Sequence, residues 1–161
     1  MIILGLDPGT ATTGYGVIKR EGNKKFTLLK YGCILTEKGR PAGERLMVIV
    51  SELEKIIKKY KPEIISVENI YFFKNLKTAM PVSQARGVII LTAAQRNIPV
   101  YDITPLQMKM AIVGYGRAEK KQVQKMVENI LELKDPIKSD DAADALGIAI
   151  CGGLKHHFKC S

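Results

Sequence analysis

Short apolar runs and intervening turn residues divide the first part of the chain into strands. Residues 2–6 form an apolar run that is typical of a strand buried on both faces, and the Asp-Pro-Gly sequence at 7–9 ends it. Residues 14–19 and 24–36 follow as two further strands, separated by a turn around Gly22. The pattern therefore predicts a sheet that begins with three antiparallel strands.

Helices alternate with the remaining strands. From Glu44 to Tyr60, apolar residues recur at every third or fourth position among Glu and Lys, which predicts an amphipathic helix that ends before Pro62. Residues 63–68 predict a fourth strand, and a crossover of this kind returns parallel to the first strand. The later pattern predicts a helix over 78–96, a short strand over 98–102, and helices over 104–112, 119–131 and from Ser139 or Asp140 to about Ile150. The predicted fold class is α/β: a five-stranded mixed sheet, three antiparallel strands and then parallel crossovers, flanked by helices.

The composition limits the domain organisation and the cellular setting. The 161 residues are 46% hydrophobic and 25% charged, which suits one compact domain and excludes a disordered or collagen-like chain. We predict a single domain over 1–155 and a short C-terminal tail over 156–161. A long apolar run and a basic leader are both lacking, so we expect no membrane span and no secretion. Three cysteines without a C-x-x-C pair fit the reducing cytoplasm.

Four carboxylates stand at the ends of apolar segments. Asp7 ends the first strand, Glu68 ends the fourth, and Asp141 and Asp144 share one face of the last helix because they are three residues apart. If the two strands are parallel neighbours, their carboxyl ends open into the same crevice. Grouped carboxylates repel one another unless a cation neutralises them, and hard ions such as Mg²⁺ and Mn²⁺ prefer oxygen ligands. The four residues together predict a metal site.

Each acidic residue also has a structural explanation when it is taken singly. Asp7 suits a turn, Glu68 suits a strand end, and Asp140 or Asp141 suits a helix cap or a partner for the helix dipole. Asp144 fits such an explanation less well, because small and apolar residues surround it along the helix. A charge in that setting needs a partner. The set as a whole therefore favours the metal site.

Basic residues concentrate in the middle of the chain. The net charge is +9, and nine basic residues but only two acidic ones lie between Glu68 and Glu128. A solvated helix face normally mixes both signs, so the excess favours a phosphate-binding surface over a merely basic protein. The nine are Lys74, Lys77, Arg86, Arg96, Lys109, Arg117, Lys120, Lys121 and Lys125.

Five motifs in order resemble the RuvC family of Holliday junction resolvases, the crossover junction endodeoxyribonucleases. They read ILGLDPGT at 3–10, TGYGV at 13–17, VEN at 67–69, QARGV at 84–88 and DAADAL at 141–146. The resemblance covers roughly residues 1–150. It implies a ribonuclease H-like fold, a homodimer and Mg²⁺-dependent incision of four-way junction DNA in recombination and repair. The four catalytic carboxylates of the family match Asp7, Glu68, Asp141 and Asp144, whereas Asp140 lies outside the motif and is assigned to capping.

The resemblance also implies roles for basic and aromatic residues. Lys109 and Lys120 match family lysines that approach the scissile backbone, and Tyr71 matches an aromatic residue that stacks on an unpaired base. Lys74, Lys77 and Arg86 are further candidates for DNA contacts. Two ions about 3.5 to 4 Å apart would activate water and stabilise the leaving 3′ oxygen, giving a 5′ phosphate and a 3′ hydroxyl. A branch-migration complex of the RuvA and RuvB type is implied as a partner.

Two alternatives and one structural choice stay open. Residues 6–10 are also similar to the first phosphate motif of actin-like ATPases and sugar kinases, which need a second such domain that 161 residues do not hold. A binding module without catalysis would use the basic surface alone, and it leaves Asp144 unexplained.

The helix over 78–96 is apolar around most of its circumference, so its second side meets either another copy of the chain or the basic helices of the same chain.

Overall fold

The computed structural model describes residues 1–22, 25–69 and 76–159, which form a five-stranded mixed sheet between two layers of helices. The strands are β1 (Ile2–Asp7), β2 (Thr12–Glu21), β3 (Lys25–Leu35), β4 (Ile64–Glu68) and β5 (Val100–Ile103). Their order across the sheet is β3-β2-β1-β4-β5. The first three strands pair antiparallel, whereas β4 runs parallel to β1 and β5 runs parallel to β4. The predicted architecture is confirmed.

Five helices cover the two faces of the sheet. They are α1 (Ala42–Tyr60), α2 (Leu76–Gln95), α3 (Pro105–Val113), α4 (Lys120–Ile130) and α5 (Asp140–Lys159). Consecutive residues of β1 point to opposite faces, so Leu4 packs with α1 and α2 while Ile3 packs with α3, α4 and α5. This arrangement explains why the first strand has no polar side chain before Asp7. Within the described ranges, no helix is both long and apolar enough to cross a bilayer.

Helix α5 continues well past the predicted end near Ile150. The Gly152-Gly153 pair resembles a stop signal in the sequence, but it lies inside the helix and against the sheet. A Cβ atom on Gly152 would come within 1.7 Å of Ser66 Oγ, and the Gly153 carbonyl accepts a 2.6 Å hydrogen bond from Arg20 Nη1. The predicted helix end is therefore wrong, because these glycines permit close packing instead of ending the helix. The start of the predicted tail at 156 is helical as well.

Helix α2 buries one side and exposes the other. Ala85, Ile89 and Ala93 are wholly buried in the core that α2 shares with α1, whereas Met80 and Leu91 are 70% and 57% exposed. The basic helices α3 and α4 pack with α5 on the opposite face of the sheet. Burial of α2 under the basic helices is therefore wrong. Within the part of the chain that the structure describes, an apolar side of α2 stays uncovered.

Candidate active site and nucleic-acid interface

Strand pairing brings Asp7 and Glu68 side by side. Strands β1 and β4 are parallel neighbours with Leu6 opposite Val67, and the next residue of each strand is an acid. The two carboxyl groups share a hydrogen bond. The parallel pairing on which the predicted crevice depends is therefore present in the fold.

Glycines in the sheet let α5 approach closely enough to bring two more acids to this crevice. A Cβ atom on Gly14 would lie 2.1 Å from the Asp141 carbonyl oxygen, and one on Gly5 would lie 2.1 Å from the Ala145 carbonyl oxygen. Any side chain at either position would therefore push the helix away from the sheet. Asp141 and Asp144 both act electrostatically on Asp7. The four predicted carboxylates thus lie together.

The start of α5 is capped by Ser139. Its Oγ atom accepts a hydrogen bond from the backbone N–H of Ala142 at 3.4 Å, which satisfies one free amide of the first turn. Asp140 instead lies within the first turn, 70% exposed, with Oδ2 3.4 Å from Lys120 Nζ. The assignment of Asp140 to capping is corrected: the residue pairs with a lysine.

Burial and mutual repulsion set the protonation of the strand-end acids. Burial, together with the hydrogen bond to Glu68 and the charges of Glu68, Asp144 and Asp141, raises the pKa of Asp7 to about 9. Burial also raises the pKa of Glu68, against the lowering effect of its hydrogen bond with Asp7. Burial, with too little positive charge nearby to offset it, therefore favours a retained proton in the metal-free cluster.

Lys120 supplies part of that charge. Its Nζ atom lies 2.9 Å from Asp144 Oδ2. Burial raises the pKa of Asp144, and the hydrogen bond from Lys120 opposes that effect. Burial lowers the pKa of Lys120, but its contacts with Asp144 and Asp140 outweigh burial and raise it. Lys120, predicted as a phosphate contact, therefore stands at the edge of the carboxylate cluster as a firmly protonated cation.

The donor set suits a hard divalent cation. All four acids present carboxylate oxygens, the ligands that Mg²⁺ and Mn²⁺ prefer, and the retained proton on Asp7 marks a site short of positive charge. Among residues 1–22, 25–69 and 76–159, no three acidic, histidine or cysteine side chains stand in a ready-made metal-binding group. Asp7 instead bonds with Glu68 and Asp144 bonds with Lys120, so these contacts would have to rearrange as a metal binds.

We expect the metal-free protein to lose stability as pH rises from about 4 to about 9. Asp7 ionises near 3.8 in the unfolded chain but only near 9 in the folded protein, so its contribution is complete below 3.8 and is lost by pH 9. One proton corresponds to a slope of about 1.4 kcal/mol per pH unit. Urea unfolding in EDTA at several pH values should give a flatter dependence for Asp7→Asn. Asp135→Asn, at an exposed position, should match the parent protein. Equal slopes for parent and Asp7→Asn would contradict this assignment.

The other predicted DNA contacts differ in their surroundings. Lys109 lies half-buried on α3, and Arg86 on α2 forms an ion pair with Asp102. Tyr71 and Lys74 lie outside the described residues, and the side chain of Lys77 does too. Roles in DNA binding for these five residues stay predictions.

Sequence analysis did not single out the threonines that fix the loop after β1. Thr13 Oγ1 donates to the Gly9 carbonyl at 2.7 Å, and Thr10 Oγ1 donates to the Pro81 carbonyl at 2.6 Å. These bonds hold the loop that follows Asp7 to its own strand and to α2. The signal was present, because hydroxyl residues next to an Asp-Pro-Gly turn commonly bond to nearby backbone.

Comparison with known proteins supports the fold and shows the family. The family model "Crossover junction endodeoxyribonuclease RuvC" matches residues 3–152. The protein of that name from Ruminiclostridium cellulolyticum is 53% identical, covering 98% of this chain and 95% of the relative. Its counterpart from Pelotomaculum thermopropionicum is 52% identical, covering 98% and 94%. The structure "T. thermophilus RuvC in complex with Holliday junction substrate" superposes with a TM-score of 0.93 at 33% identity, covering 99% of this chain and 96% of that one.

The agreement spans the whole architecture. The family model covers all five strands except Ile2 and includes all four carboxylates, and relatives of more than 50% identity extend over nearly the full chain. The ribonuclease H-like fold expected from the motifs is confirmed by the structural match. The chain therefore belongs to the RuvC family of crossover junction endodeoxyribonucleases.

Proposed function

We propose that this protein is a structure-selective DNA endonuclease that resolves Holliday junctions in homologous recombination and DNA repair. The observation that carries the proposal is the convergence of Asp7, Glu68, Asp141 and Asp144 at one end of the sheet, with Lys120 beside them. The names of its relatives describe crossover junction endodeoxyribonucleases, and the similar Thermus structure is a complex with a Holliday junction substrate. A four-way junction is therefore the substrate that best fits the site.

The carboxylate cluster is proposed to hold Mg²⁺ or Mn²⁺, with two ions in each active site. Such ions lower the pKa of an attacking water and stabilise the leaving oxygen of an in-line displacement. Asp7, Glu68, Asp141 and Asp144 would hold them, and Asp7 would release its proton as they bind. Lys120 would move from its partner Asp144 toward a nearby phosphate. Hydrolysis would leave a 5′ phosphate and a 3′ hydroxyl.

Lys109→Ala or Lys120→Ala is expected to weaken junction binding and reduce its dependence on salt. Each lost phosphate contact should reduce the log–log slope of affinity against salt by about 0.9. Titration of a labelled junction in EDTA measures binding without cutting. Lys55→Ala is the control, because Lys55 is an exposed lysine on α1 that pairs with Glu52. A slope equal to that of the parent would remove the substituted lysine from the interface.

Other DNA contacts are proposed from the family resemblance and the charge pattern. Tyr71 would stack on an unpaired base near the crossover, and Lys74 and Lys77 would contact phosphates. Arg86 would have to exchange its partner Asp102 for a phosphate, since the two side chains are paired in the free protein. Base stacking on an aromatic side chain contributes about 1 to 3 kcal/mol for each base.

A homodimer is proposed because resolution needs two opposed cuts. The exposed side of α2 repeats at steps of four and three, as a helix-pairing surface does: Met80, Gln84, Gly87, Leu91 and Ala94. An isologous contact along this stripe would fix two identical sites relative to one another.

A branch-migration complex of the RuvA and RuvB type would be a further partner. Work on chromosomal junctions would place the protein in the cytoplasm of bacteria such as those of its relatives.

The decisive experiment is incubation of the protein with a four-way junction and Mg²⁺, with a linear duplex of the same sequence as control. We expect cutting of the junction alone, blocked by EDTA. Ligation of the products tests for the 5′ phosphate and 3′ hydroxyl, because a ligase seals only those ends. Tight binding of the junction without any cut in either ion, Mg²⁺ or Mn²⁺, would favour the binding module and overturn the proposed activity.

A further inference from the structure

A cavity adjoins the carboxylate cluster on the side of α1 and α2. It has a volume of about 350 Å³ and is lined by the loop 9–12, by Arg45 of α1, by Pro81 and Val82 of α2, and by Asp141. Asp141 therefore belongs both to the proposed metal site and to this cavity. The cavity therefore lies beside the carboxylate cluster.

A chain of hydrogen bonds fixes Arg45 at this cavity. Its Nε atom donates to Thr36 Oγ1 at 2.8 Å, and the Thr36 hydroxyl donates in turn to the Thr10 carbonyl at 2.5 Å. The Thr10 hydroxyl donates to the Pro81 carbonyl, which ties the same loop to α2. The guanidinium is thus held through Nε, and among the described residues its two terminal nitrogens donate no hydrogen bond.

The positive charge of Arg45 is not used in an ion pair within the described part of the chain. The nearby Arg40 pairs with Glu37, and the six other pairs between side chains also leave Arg45 out. Asp141 is the one acid that lines the cavity, and it is committed to the proposed metal site. A half-buried arginine with a fixed Nε and two available terminal nitrogens matches the fork geometry by which arginine binds phosphate oxygens.

We propose that this cavity binds a DNA phosphate adjacent to the scissile one, with Arg45 as its ligand. The proposal rests on the proposed function and names a subsite of the same strand. A fixed second phosphate would set the register of the strand, so that the bond to be cut meets the carboxylates in line. Because the loop 9–12 follows Asp7 directly, a phosphate held there is positioned relative to the cluster by only a few residues of backbone.

The first test replaces single phosphates near the cut by neutral methylphosphonates and measures junction binding in EDTA. For the parent protein we expect one position within two nucleotides of the cut to lose about ten- to hundredfold in affinity, as a charged hydrogen bond is lost. Arg45→Gln should bind the unmodified junction correspondingly less tightly, with a salt slope reduced by about 0.9. The variant should be insensitive to the methylphosphonate at that position. Arg40→Gln, which removes a neighbouring paired arginine, should retain the full sensitivity of the parent.

The second test separates phosphate binding from loop anchoring. Thr36→Val removes the hydroxyl that links Arg45 to Thr10 but leaves the guanidinium charge, so it should keep the salt slope and the methylphosphonate sensitivity. If Thr36→Val and Arg45→Gln have the same defect and neither alters the salt slope, Arg45 only anchors the loop and the proposal is overturned. If the parent protein cuts junctions but no methylphosphonate position depends on Arg45, the subsite fails while the proposed function stands. If the parent protein does not cut junctions, the proposed function itself is wrong.

Discussion

Replacing Asp144 by asparagine is expected to lower junction incision at least about a thousandfold, because loss of a metal ligand removes several kcal/mol of transition-state stabilisation. Binding of the junction should persist or become tighter. The substitution is nearly isosteric, removes a negative charge beside the DNA and leaves the Lys120 cation in place. Single-turnover cutting in Mg²⁺ and titration in EDTA measure the two effects separately.

Asp140→Asn is the matched control for this substitution. Asp140 also pairs with Lys120 and lies on the first turn of the same helix, but its side chain is 70% exposed and is absent from the charges that act on Asp7. It should cut within a few-fold of the parent rate. Comparable losses in both variants would show that the defect arises through Lys120, and a normal rate in Asp144→Asn would exclude Asp144 as a metal ligand.

Introducing a charge at Leu91 is expected to separate the proposed dimer and to prevent paired cutting. Leu91 is 57% exposed on α2, so Leu91→Glu should hardly change the folding stability of a single chain. In a symmetric dimer, however, the two introduced glutamates would face each other across the interface. The dissociation constant should rise at least about a hundredfold, since like charges juxtaposed at an interface cost several kcal/mol. Sedimentation at micromolar concentration measures the mass. A supercoiled cruciform plasmid should then yield nicked circles in place of linear product.

Ile89→Glu is the contrasting variant on the same helix. Ile89 is wholly buried between α2 and the sheet, so a carboxylate there should unfold the domain rather than divide a dimer. A parent protein that sediments as a monomer and releases only nicked circles would overturn the dimer. A Leu91→Glu protein that remains dimeric would place the interface elsewhere on the surface.

The sheet and the carboxylates could be predicted because both depend on local signals. The strands of the meander are close in sequence, and the apolar run of β1 shows a central position in the sheet. Asp7 and Glu68 end two strands whose parallel relation follows from the crossover between them. For Asp141 and Asp144, helical spacing gave the shared face and the family motif gave the association with Asp7.

The remaining features depend on contacts that a linear pattern does not contain. Gly152 and Gly153 look like a helix end until their closeness to Ser66 and Arg20 is known. Arg45 is an ordinary basic position of an amphipathic helix, and only the tertiary fold places it beside Thr36 and Asp141. The pattern also could not show which side of α2 is buried, because apolar residues occur on both sides of the helix.

The contact between α5 and the sheet has a consequence for how the active site responds to disturbance. At Gly5 and Gly14 the helix backbone approaches the strands so closely that even a methyl group would clash. Side chains can change rotamers and absorb a mutation or a rise in temperature, but main-chain atoms in contact have no such freedom. The separation between Asp7 and Asp141 is thus buffered against loosening elsewhere in the core. Sequence drift among the surrounding aliphatic residues should change the melting temperature well before it changes the cutting rate.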